Sequence, residues 1–374
     1  MYYVKTYKSL DELPASYSEL FEQAGSQSFY LSFPWFDNLI RTTDEGTDLR
    51  LYGVEPTSNG GSPAALFITR SAVNGTVGPA ANVLRSCANM YTILYGPVCH
   101  PTHCNIGQVA EAFARALTRE RPRWAAIQFD SLDRDEPFYD AFARALKESG
   151  LMVQRYFHFG VYFEDVSHGS YDKYLSMRPS NLRNTLKRKK KRLDKTGRAR
   201  FLLATGEEGL DEGLDAYERV YKSSWKDPEP FPRFTPGLAR AAAAAECLRL
   251  GVIYVDNVPA AAQLWLVCGG KATIYKLAYD EHLANLSVGS ILTAEIMRHV
   301  IEVDGVSVVD FGRGDDPYKA TWLAQRRERW GILAFNPRTL AGLAGATRHI
   351  GGRAAKSALR TLRGRTASKA SDGR

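Results

Sequence analysis

Long apolar runs are missing from this sequence. No stretch reaches the roughly 18 uninterrupted apolar residues that a membrane-spanning helix needs. The first residues, Met1–Lys5, also lack the charged and then apolar layout of a signal peptide. We therefore expect a cytoplasmic protein. Its 374 residues, of which 44% are hydrophobic and 24% charged, leave room for two globular domains of ordinary size.

Cysteine is scarce and irregularly spaced, which argues against a disulfide framework and against a zinc site. Two histidines, His100 and His103, stand beside two of the cysteines, but this group lacks a second ligand pair. We expect free thiols and no metal cofactor. The five cysteines include no CxxC pair and are Cys87, Cys99, Cys104, Cys247 and Cys268.

The signatures of several enzyme classes are absent too. The sequence holds no GxSxG, HExxH or Walker A motif, which argues against the hydrolases, zinc proteases and NTPases that carry them. The net charge is +8, but residues 348–374 alone hold eight Lys or Arg and one acidic residue. The remainder is therefore close to neutral, which argues against a broad nucleic-acid-binding surface.

The basic C-terminal segment, residues 338–374, is expected to be a flexible tail. Leucine and isoleucine alternate there with Lys and Arg, so a basic amphipathic helix on an anionic membrane is the alternative. Four glycines, Gly342, Gly345, Gly351 and Gly352, weaken that helix. The tail offers a peripheral contact with the inner face of the membrane.

The two halves of the chain repeat one order of elements: three antiparallel strands, a loop, a helix, and a strand that ends in an acid-containing loop. In the first half these are predicted over residues 49–54, 64–70, 90–98, 105–119 and 124–129. In the second half they are predicted over residues 248–255, 260–268, 272–279, 288–302 and 307–311. An internal duplication of one α/β domain explains this order, and chance agreement of two α+β domains is the alternative.

The strand, loop and helix between Ile274 and Leu292 predict a phosphate site. The helix opens at Ser287-Val288-Gly289-Ser290, and the free backbone amides of a helix N-terminus suit a diphosphate. Gly289 lets a ligand approach the backbone, and Ser287 can cap the helix or reach a phosphate. The alternative is an ordinary capped helix with a glycine in its first turn.

A second polar motif follows the last predicted strand, at residues 309–319. Two glycines, acids, a tyrosine and a lysine stand together where a buried strand ends, a common position for functional side chains. A carboxylate here can take a proton from an ammonium group, while Tyr318 or Lys319 stabilises the leaving group. The alternative is an Asp/Gly turn whose acids cap the next helix.

A basic run occupies residues 187–192 and is preceded by Arg178 and Arg183. It can bind the 3′-phosphate of CoA, a tRNA backbone or anionic lipid, or it can be a solvated helix face. The basic residues surround the predicted helix, so only part of the run can face one ligand.

Together these motifs are familiar, because residues Ala261–Gly331 resemble the GNAT-like acetyltransferases of the CelD-like family. These proteins are relatives of the FemAB/FemX peptidoglycan aminoacyltransferases. The basic run and the aromatic segment Phe33–Phe36 extend the resemblance over most of residues 20–335. The residues that carry it most strongly are the hairpin Ala262–Tyr279, the helix opening Leu286–Gly289, the loop Asp310–Asp315, and Tyr318-Lys319.

The resemblance implies an α/β (α+β) fold with tandem GNAT-like domains, each a mixed, mostly antiparallel sheet flanked by helices. A degenerate domain would cover residues 1–165, and an acyltransferase domain would cover residues 166–337. The second would hold acetyl-CoA or another acyl-CoA, with the thioester between splayed strands near 275–277 and 307–310. The implied acyl-CoA contacts are Tyr275, Leu277, Ser287, Val288, Gly289 and Ser290. Asp310 or Asp315 would be the base, with Tyr318 and Lys319 as acceptor or CoA contacts.

The acceptor is then an amine, carried by a small molecule or a carbohydrate, in polysaccharide or cell-envelope biosynthesis. Two alternatives stay open. One is a FemX-like transferase that takes its acyl group from aminoacyl-tRNA and binds RNA through the basic run. The other is a non-catalytic scaffold of a polysaccharide synthase, held at the membrane by the basic tail.

Overall fold

The structure, a computed structural model, describes residues 2–43, 48–57, 61–75, 78–100 and 104–351. Its strands in these ranges are β1 (Tyr2–Tyr7), β2 (Asp48–Pro56), β3 (Ala65–Gly75), β4 (Gly78–Ser86), β5 (Val98–Cys99), β6 (Ala126–Asp133), β7 (Met152–Asp165), β8 (Ala199–Ala204), β9 (Leu248–Val255), β10 (Val258–Cys268), β11 (Lys271–Tyr279), β12 (Val308–Asp310) and β13 (Gln325–Phe335). Its α-helices there are α1 (Ser16–Gln27), α2 (Phe33–Thr42), α3 (Ile106–Arg119), α4 (Pro137–Glu148), α5 (Tyr171–Ser176), α6 (Ser180–Thr196), α7 (Leu210–Lys222), α8 (Phe234–Ala244), α9 (Val288–Glu302), α10 (Lys319–Trp322) and α11 (Leu340–Ala346).

The chain forms two compact units, and neither is one continuous stretch. The first comprises residues 1–17, 46–158 and 329–374, and the second comprises residues 18–45 and 159–328. These units differ from the continuous domains 1–165 and 166–337 that the sequence predicts. The differences arise from long-range packing: β13 pairs with β6, and α2 packs against α8. Local sequence patterns carry no signal for either contact.

In the first unit the strands follow the order β1-β2-β3-β4-β6-β13, with β5 beside β3. All pairs are antiparallel except β4 and β6, which run parallel with Val83 opposite Ala126. The core between the sheet and α3 and α4 is aromatic. The ring of Phe113 stacks on Phe67 at 3.9 Å and on Phe142 at 5.4 Å.

In the second unit the strands follow the order β7-β12-β11-β10-β9-β8. Only β11 and β12 run parallel among the pairs that the structure describes in this unit. Helix α9 packs on one face, where Ile253 and Val255 join its core, and α7 packs on the other, where Val252 and Tyr254 do. This alternation follows from the two-residue period of a strand.

Each unit therefore contains three successive antiparallel strands, then a helix, then a strand parallel to the third. The elements are β2, β3, β4, α3 and β6 in the first unit, and β9, β10, β11, α9 and β12 in the second. The mixed, mostly antiparallel sheets flanked by helices confirm the predicted fold class. The predicted hairpin turns are also confirmed, because Asp256, Asn257, Gly269 and Gly270 all have positive φ.

One strand of the first half was predicted in the wrong place. The third strand is β4, at Gly78–Ser86, and not residues 90–98. Tyr91, Thr92, Ile93 and Tyr95 are all buried, so burial does not alternate along this segment as it would in a strand with one exposed face. The segment is irregular and contacts β6 at Ser131, whose hydroxyl donates to Thr92 O and whose carbonyl oxygen accepts from the amide of Tyr95.

The start of the predicted flexible tail is helical. Thr339 caps α11 by accepting a hydrogen bond from the amide of Gly342 at 3.0 Å. Gly342 packs so closely that a Cβ there would overlap the carbonyl oxygens of Asn336 and Ala125. The sequence predicts that the glycines of this segment weaken a helix, whereas Gly342 lies within α11 and permits its close packing. Residues 352–374 lie outside the described part of the chain.

Arg178 is a structural residue of the second unit, not part of a basic ligand surface. Its guanidinium donates to Glu164 Oε2 at 2.8 Å and to Trp322 O at 2.7 Å. Both side chains of this ion pair are buried, with 4% and 9% exposure. Glu164 also accepts from the amide of Ala324 at 2.6 Å. The pair thus ties the segment after β7 to the loop before β13.

Replacing Arg178 by Ala should lower the free energy of unfolding by about 3–5 kcal/mol, because Glu164 would stay buried without its cation. Urea denaturation followed by circular dichroism measures this loss. Arg240→Ala is the control, since Arg240 forms an exposed ion pair with Asp211 that should contribute about 0–1 kcal/mol. Equal losses in the two variants would contradict a structural role for the buried pair.

Candidate functional site

Strands β11 and β12 run side by side for three residues and then separate. Their parallel pairing begins with Lys271 opposite Val308 and ends with Thr273 opposite Asp310. β11 continues to Tyr279 and stays paired with β10. On the other side of β11, no described strand pairs with residues 274–279. Beyond Thr273 the two strands therefore leave a gap, with residues 274–279 of β11 along one side of it.

The chain that leaves β12 follows β7 instead of β11. The amide of Phe311 donates to Tyr162 O at 3.0 Å, and the amide of Gly314 donates to Gly160 O at 3.1 Å. A Cβ on Gly160 would overlap the Asp315 carboxylate. Glycine at position 160 therefore lets the loop lie against β7, and this contact keeps the gap between β11 and β12 open.

Helix α9 begins beside this gap, directly after a 3-10 turn, Glu281–Leu286, that follows β11. Its first backbone amides, at Val288, Gly289 and Ser290, have no acceptor one turn earlier in the helix and carry its partial positive charge. The Val288 side chain is fully buried in the core. Val288 therefore offers a ligand only its backbone, whereas Gly289 and Ser290 are half-buried.

Ser287 does not cap α9, which was one of the two roles that the sequence allows for it. Its backbone is left-handed, with φ of 58°, and its side chain makes no capping hydrogen bond. A capping serine needs an extended backbone to aim its hydroxyl at the following amides. The amide of Ser287 instead donates to Ala284 O and closes the turn. The first turn of α9 is therefore left without a side-chain cap from this residue.

A buried glutamine on β10 holds the first turn of α9 in place. Gln263 is 1% exposed, and its Nε2 donates to Gly289 O at 3.0 Å and to Thr293 Oγ1 at 2.8 Å. Its Oε1 accepts from Trp265 Nε1 at 2.9 Å. Sequence analysis missed Gln263, although a polar residue inside the apolar run 260–268 was a usable signal.

Gly289 leaves room for an aromatic side chain. A Cβ at position 289 would lie 3.2 Å from Cδ1 of Tyr279, a tight contact. Tyr279 in turn packs against Trp225, with ring centroids 4.6 Å apart. Trp225 is 49% exposed, so these two rings form an apolar wall close to the N-terminus of α9.

Two lysines that the sequence analysis missed lie near the gap. Lys276 on β11 pairs with Glu229 at 2.5 Å, and both side chains are mostly buried. Burial, and then the charges of Lys276 and Lys319, lower the pKa of Lys226, while Glu229 and Asp316 oppose the shift; the net result is a pKa of about 8. Lys226 is therefore partly neutral near pH 8, as a proton acceptor must be.

The predicted acids lie beside arginines. Asp310 is 5% exposed and accepts from Arg327 Nη2 at 2.8 Å and from the amide of Gly312 at 3.0 Å. Asp315 forms two hydrogen bonds with Arg326, at 3.1 and 2.9 Å. Both carboxylates are therefore engaged by arginines that hold the loop after β12 in place.

Lys319 and Tyr318, also predicted, sit at the end of the same loop. Lys319 is 4% exposed, and its ammonium donates to the carbonyl oxygens of Arg313 at 2.7 Å and Gly314 at 3.2 Å. Burial lowers the pKa of Lys319, while Asp316 opposes the shift. Tyr318 is 46% exposed, with its ring 6.4 Å from that of Phe311. Lys319 thus braces the loop, and Tyr318 is accessible.

The two predicted contacts on β11 have different surroundings. Tyr275 packs into an aromatic cluster with Tyr30, Trp35 and Phe234, at centroid distances of 6.2–6.5 Å. Leu277 is half-buried against the core beneath α9. For both residues, the backbone edge toward the gap is the part of the strand that a ligand can pair with.

The first unit has the corresponding strand separation, but its own chain lies in it. The parallel pairing of β4 with β6 stops at Arg85 opposite Gln128. Beyond it, Asp130 N donates to Ser86 Oγ at 3.0 Å, and Tyr95 N donates to Ser131 O at 2.9 Å. Backbone of the same unit therefore lies along this edge of β6, whereas no described strand pairs with the matching part of β11 in the second unit.

The described ranges contain no group of three or more His, Cys, Asp or Glu side chains arranged to hold a metal ion. His103 lies outside these ranges. Among the helices of the described segments, none is both long and apolar enough to cross a membrane.

The parallel strands β11 and β12 separate beside the N-terminus of α9, and this region falls within a match to a known domain family. Residues 180–320 match a family model described as an acetyltransferase (GNAT) domain. This segment includes β11, the start of α9, β12 and Lys319. No curated protein sequence matches the chain.

Solved structures support the same fold. A crystal structure of FemX aligns with a TM-score of 0.60 and 11% identity, over 91% of this chain and 100% of FemX. The C-terminal domain of a candidate lysylphosphatidylglycerol synthetase from Agrobacterium fabrum aligns with a TM-score of 0.50 and 16% identity, over 88% and 96%. The chain thus shares the fold of the FemX structure, and its residues 180–320 are similar to a GNAT domain.

Replacing Gln263 by Leu should lower the free energy of unfolding by about 1–3 kcal/mol, because Trp265 Nε1 loses its acceptor inside the core. Chemical denaturation measures the loss. Gln325→Leu on the exposed end of β13 is the matched control, and it should stay within about 0.5 kcal/mol of the wild type. A loss at Gln263 no larger than at Gln325 would contradict the bracing role.

Proposed function

We propose that this protein is an acyl-CoA-dependent N-acyltransferase that moves an acetyl or similar acyl group to an amine. The observation that carries the proposal is the gap between β11 and β12, which opens beside the uncapped first turn of α9. An acyl-CoA carries both an extended amide-containing arm and a diphosphate. The gap that opens alongside β11 where its pairing with β12 ends suits the first, and a helix N-terminus suits the second.

In this proposal the backbone amides of Val288, Gly289 and Ser290 hold the diphosphate, with Ser287 shaping the turn before them. The pantetheine arm pairs with the backbone edge of Tyr275–Leu277. The thioester then lies between this edge and the end of β12 at Asp310. This assignment is supported by the pairing that ends at Thr273 and by the contacts that hold the following loop on β7.

The transfer needs one base and no covalent enzyme intermediate. The neutral amine attacks the thioester carbonyl carbon, the C–N bond forms, and the C–S bond breaks. One amine proton goes to the base, and the protonated base returns it, directly or through water, to the CoA thiolate, which leaves as the thiol. Positioning and polarisation of the carbonyl account for the remaining acceleration.

Lys226 is the base that the surroundings favour over the predicted aspartates. Asp310 and Asp315 are held in ion pairs with Arg327 and Arg326, whereas the pKa of Lys226 is lowered to about 8. A base with a pKa near the working pH combines a useful neutral fraction with adequate basicity. We assign Asp310, Asp315 and Lys319 to shaping the loop, and Tyr318 to contact with the acceptor.

The alternative donor is aminoacyl-tRNA, as in a FemX-like transferase. The exposed basic residues of α6 favour it, since a tRNA backbone needs such cations. The acceptor is an amine of a small molecule or carbohydrate, and a role in polysaccharide or cell-envelope biosynthesis follows from the CelD-like resemblance. The non-catalytic scaffold differs from both in predicting no donor binding.

Acetyl-CoA binding should be measured by calorimetry on the wild type, Gly289→Ala and Gly289→Glu. The wild type should bind, and Gly289→Glu should reduce affinity at least tenfold, because its carboxylate repels the diphosphate. Gly289→Ala controls for the contact with Tyr279 and should lose less. A folded wild type that binds no acetyl-CoA would overturn the proposal, and charged aminoacyl-tRNA would be the next donor to test.

Lys226→Met should lower kcat/KM by about 10²–10⁴-fold. The wild-type rate should rise with pH and level off above about 8, as the Lys226 ammonium loses its proton. Release of the CoA thiol, with glucosamine and spermidine as acceptors, gives this profile. Lys226→Met should keep only the pH dependence of the acceptor amine. A variant profile identical to the wild type would assign the base elsewhere.

A further inference from the structure

A groove runs between α6 and α9 in the second unit, beyond the first turn of α9. Its volume is about 820 Å³. Its floor is aliphatic and formed by Leu175, Leu186, Ile291 and Ala294. The acyltransferase proposal does not use this groove, because the diphosphate site comprises residues 288–290.

The walls of the groove are strongly basic. Six cationic side chains line it, against two acidic ones, Asp194 and Glu295. Both acids contact the same lysine, since Lys190 Nζ lies 2.9 Å from Glu295 and 3.5 Å from Asp194. The six cations are Arg183, Lys187, Lys190, Lys191, Lys195 and Arg298.

Besides Lys190, four of the cations that line the groove belong to α6, and no described acidic side chain balances their charges. Within the described part of the chain, no ion pair involves Arg183, Lys187, Lys191 or Lys195. All four are exposed, and they recur along one side of the helix over about 18 Å at 1.5 Å per residue. These four positive charges beside an aliphatic floor create a local positive potential that attracts an anionic ligand.

The aliphatic floor of the groove suits a lipid better than a single-stranded nucleic acid. Single-stranded RNA needs exposed aromatic faces on which bases stack. The aromatic residue at this groove, Tyr171, is 2% exposed, and Arg298 covers its ring at 4.6 Å. An aliphatic floor between cationic walls instead matches a molecule with an anionic head and a hydrocarbon chain.

We propose that the α6–α9 groove binds an anionic lipid. The phosphate headgroup contacts Lys187, Lys191 and their cationic neighbours, and part of the hydrocarbon chain lies on Leu175, Leu186 and Ile291. The phosphate comes either from a membrane surface or from a single lipid molecule carried in the groove.

The test uses the full chain, vesicles that contain phosphatidylglycerol, and the double variant Lys187→Glu/Lys191→Glu. The wild type should bind these vesicles and not neutral phosphatidylcholine vesicles. The double variant should bind about 30-fold more weakly, at about 1 kcal/mol for each lysine removed. The matched control is Arg219→Glu/Lys222→Glu on α7, which packs on the other sheet face, and its affinity should change less than threefold.

Two further ligands separate the sources of the phosphate. Monomeric dihexanoyl-phosphatidylglycerol should bind the wild type and lose affinity in the groove variant if a single lipid enters the groove. Binding to vesicles alone, still lost in the variant, would mean a membrane-surface contact. Inorganic phosphate should bind at least tenfold more weakly than the short-chain lipid, and equal affinities would overturn the role of the aliphatic floor.

Three outcomes would overturn the proposal. Vesicle binding that is unchanged in the groove variant would assign it to another part of the chain, such as the basic residues 353–374. Equal losses of vesicle affinity in the two double variants would show that binding depends only on the net charge of the protein. Groove-dependent binding of tRNA or of a dodecamer of uridine, without lipid binding, would assign the groove to RNA. Gly289→Glu should leave lipid binding intact, which separates this test from that of acyl-CoA binding.

Discussion

The separation of β11 from β12 beyond Thr273 is the constraint on which the candidate site of the second unit depends. Backbone groups need hydrogen-bond partners, and two neighbouring strands normally supply them to each other. Here Phe311 and Gly314 obtain theirs from β7, so the edge of β11 loses its neighbour. The bare glycine at position 160 makes this possible, because any side chain there would displace Asp315. In the first unit, Tyr95 occupies the corresponding edge of β6, which explains why an open gap belongs to one unit only.

Most of the charged residues around the gap stabilise the loop after β12, whereas Lys226 is suited to proton transfer. Arginines hold the two predicted aspartates, and Lys319 is bound to carbonyl oxygens of its own loop. These contacts hold the loop in place and occupy its acids with structural partners. Lys226 differs because burial and a second lysine destabilise its ammonium form. Perturbed groups of this kind mark functional sites more often than ion-paired ones.

The sequence was most informative where the chain has only local choices. The turn pairs Asp256-Asn257 and Gly269-Gly270 specify hairpins, and α9 spans Val288–Glu302 as its pattern indicated. The errors came from residues whose partners are distant. Arg178 resembled part of a basic surface until Glu164 and Trp322 closed around it. Residues 90–98 were predicted as a strand, but they lie beside β6 as an irregular segment.

By itself the sequence determined the element order, its repetition and the GNAT-like motifs, because spacing and turn chemistry are properties of neighbouring residues. Only the tertiary structure decided where β11 separates from β12 and that Gln263 hydrogen-bonds to the first turn of α9. Only there does the charge of Lys276 lower the pKa of Lys226. It also decided that one side of α6, and not the whole basic run, lines a groove. The physical reason is that burial, ion pairing and strand separation depend on residues far apart in the chain, whose approach no local pattern records.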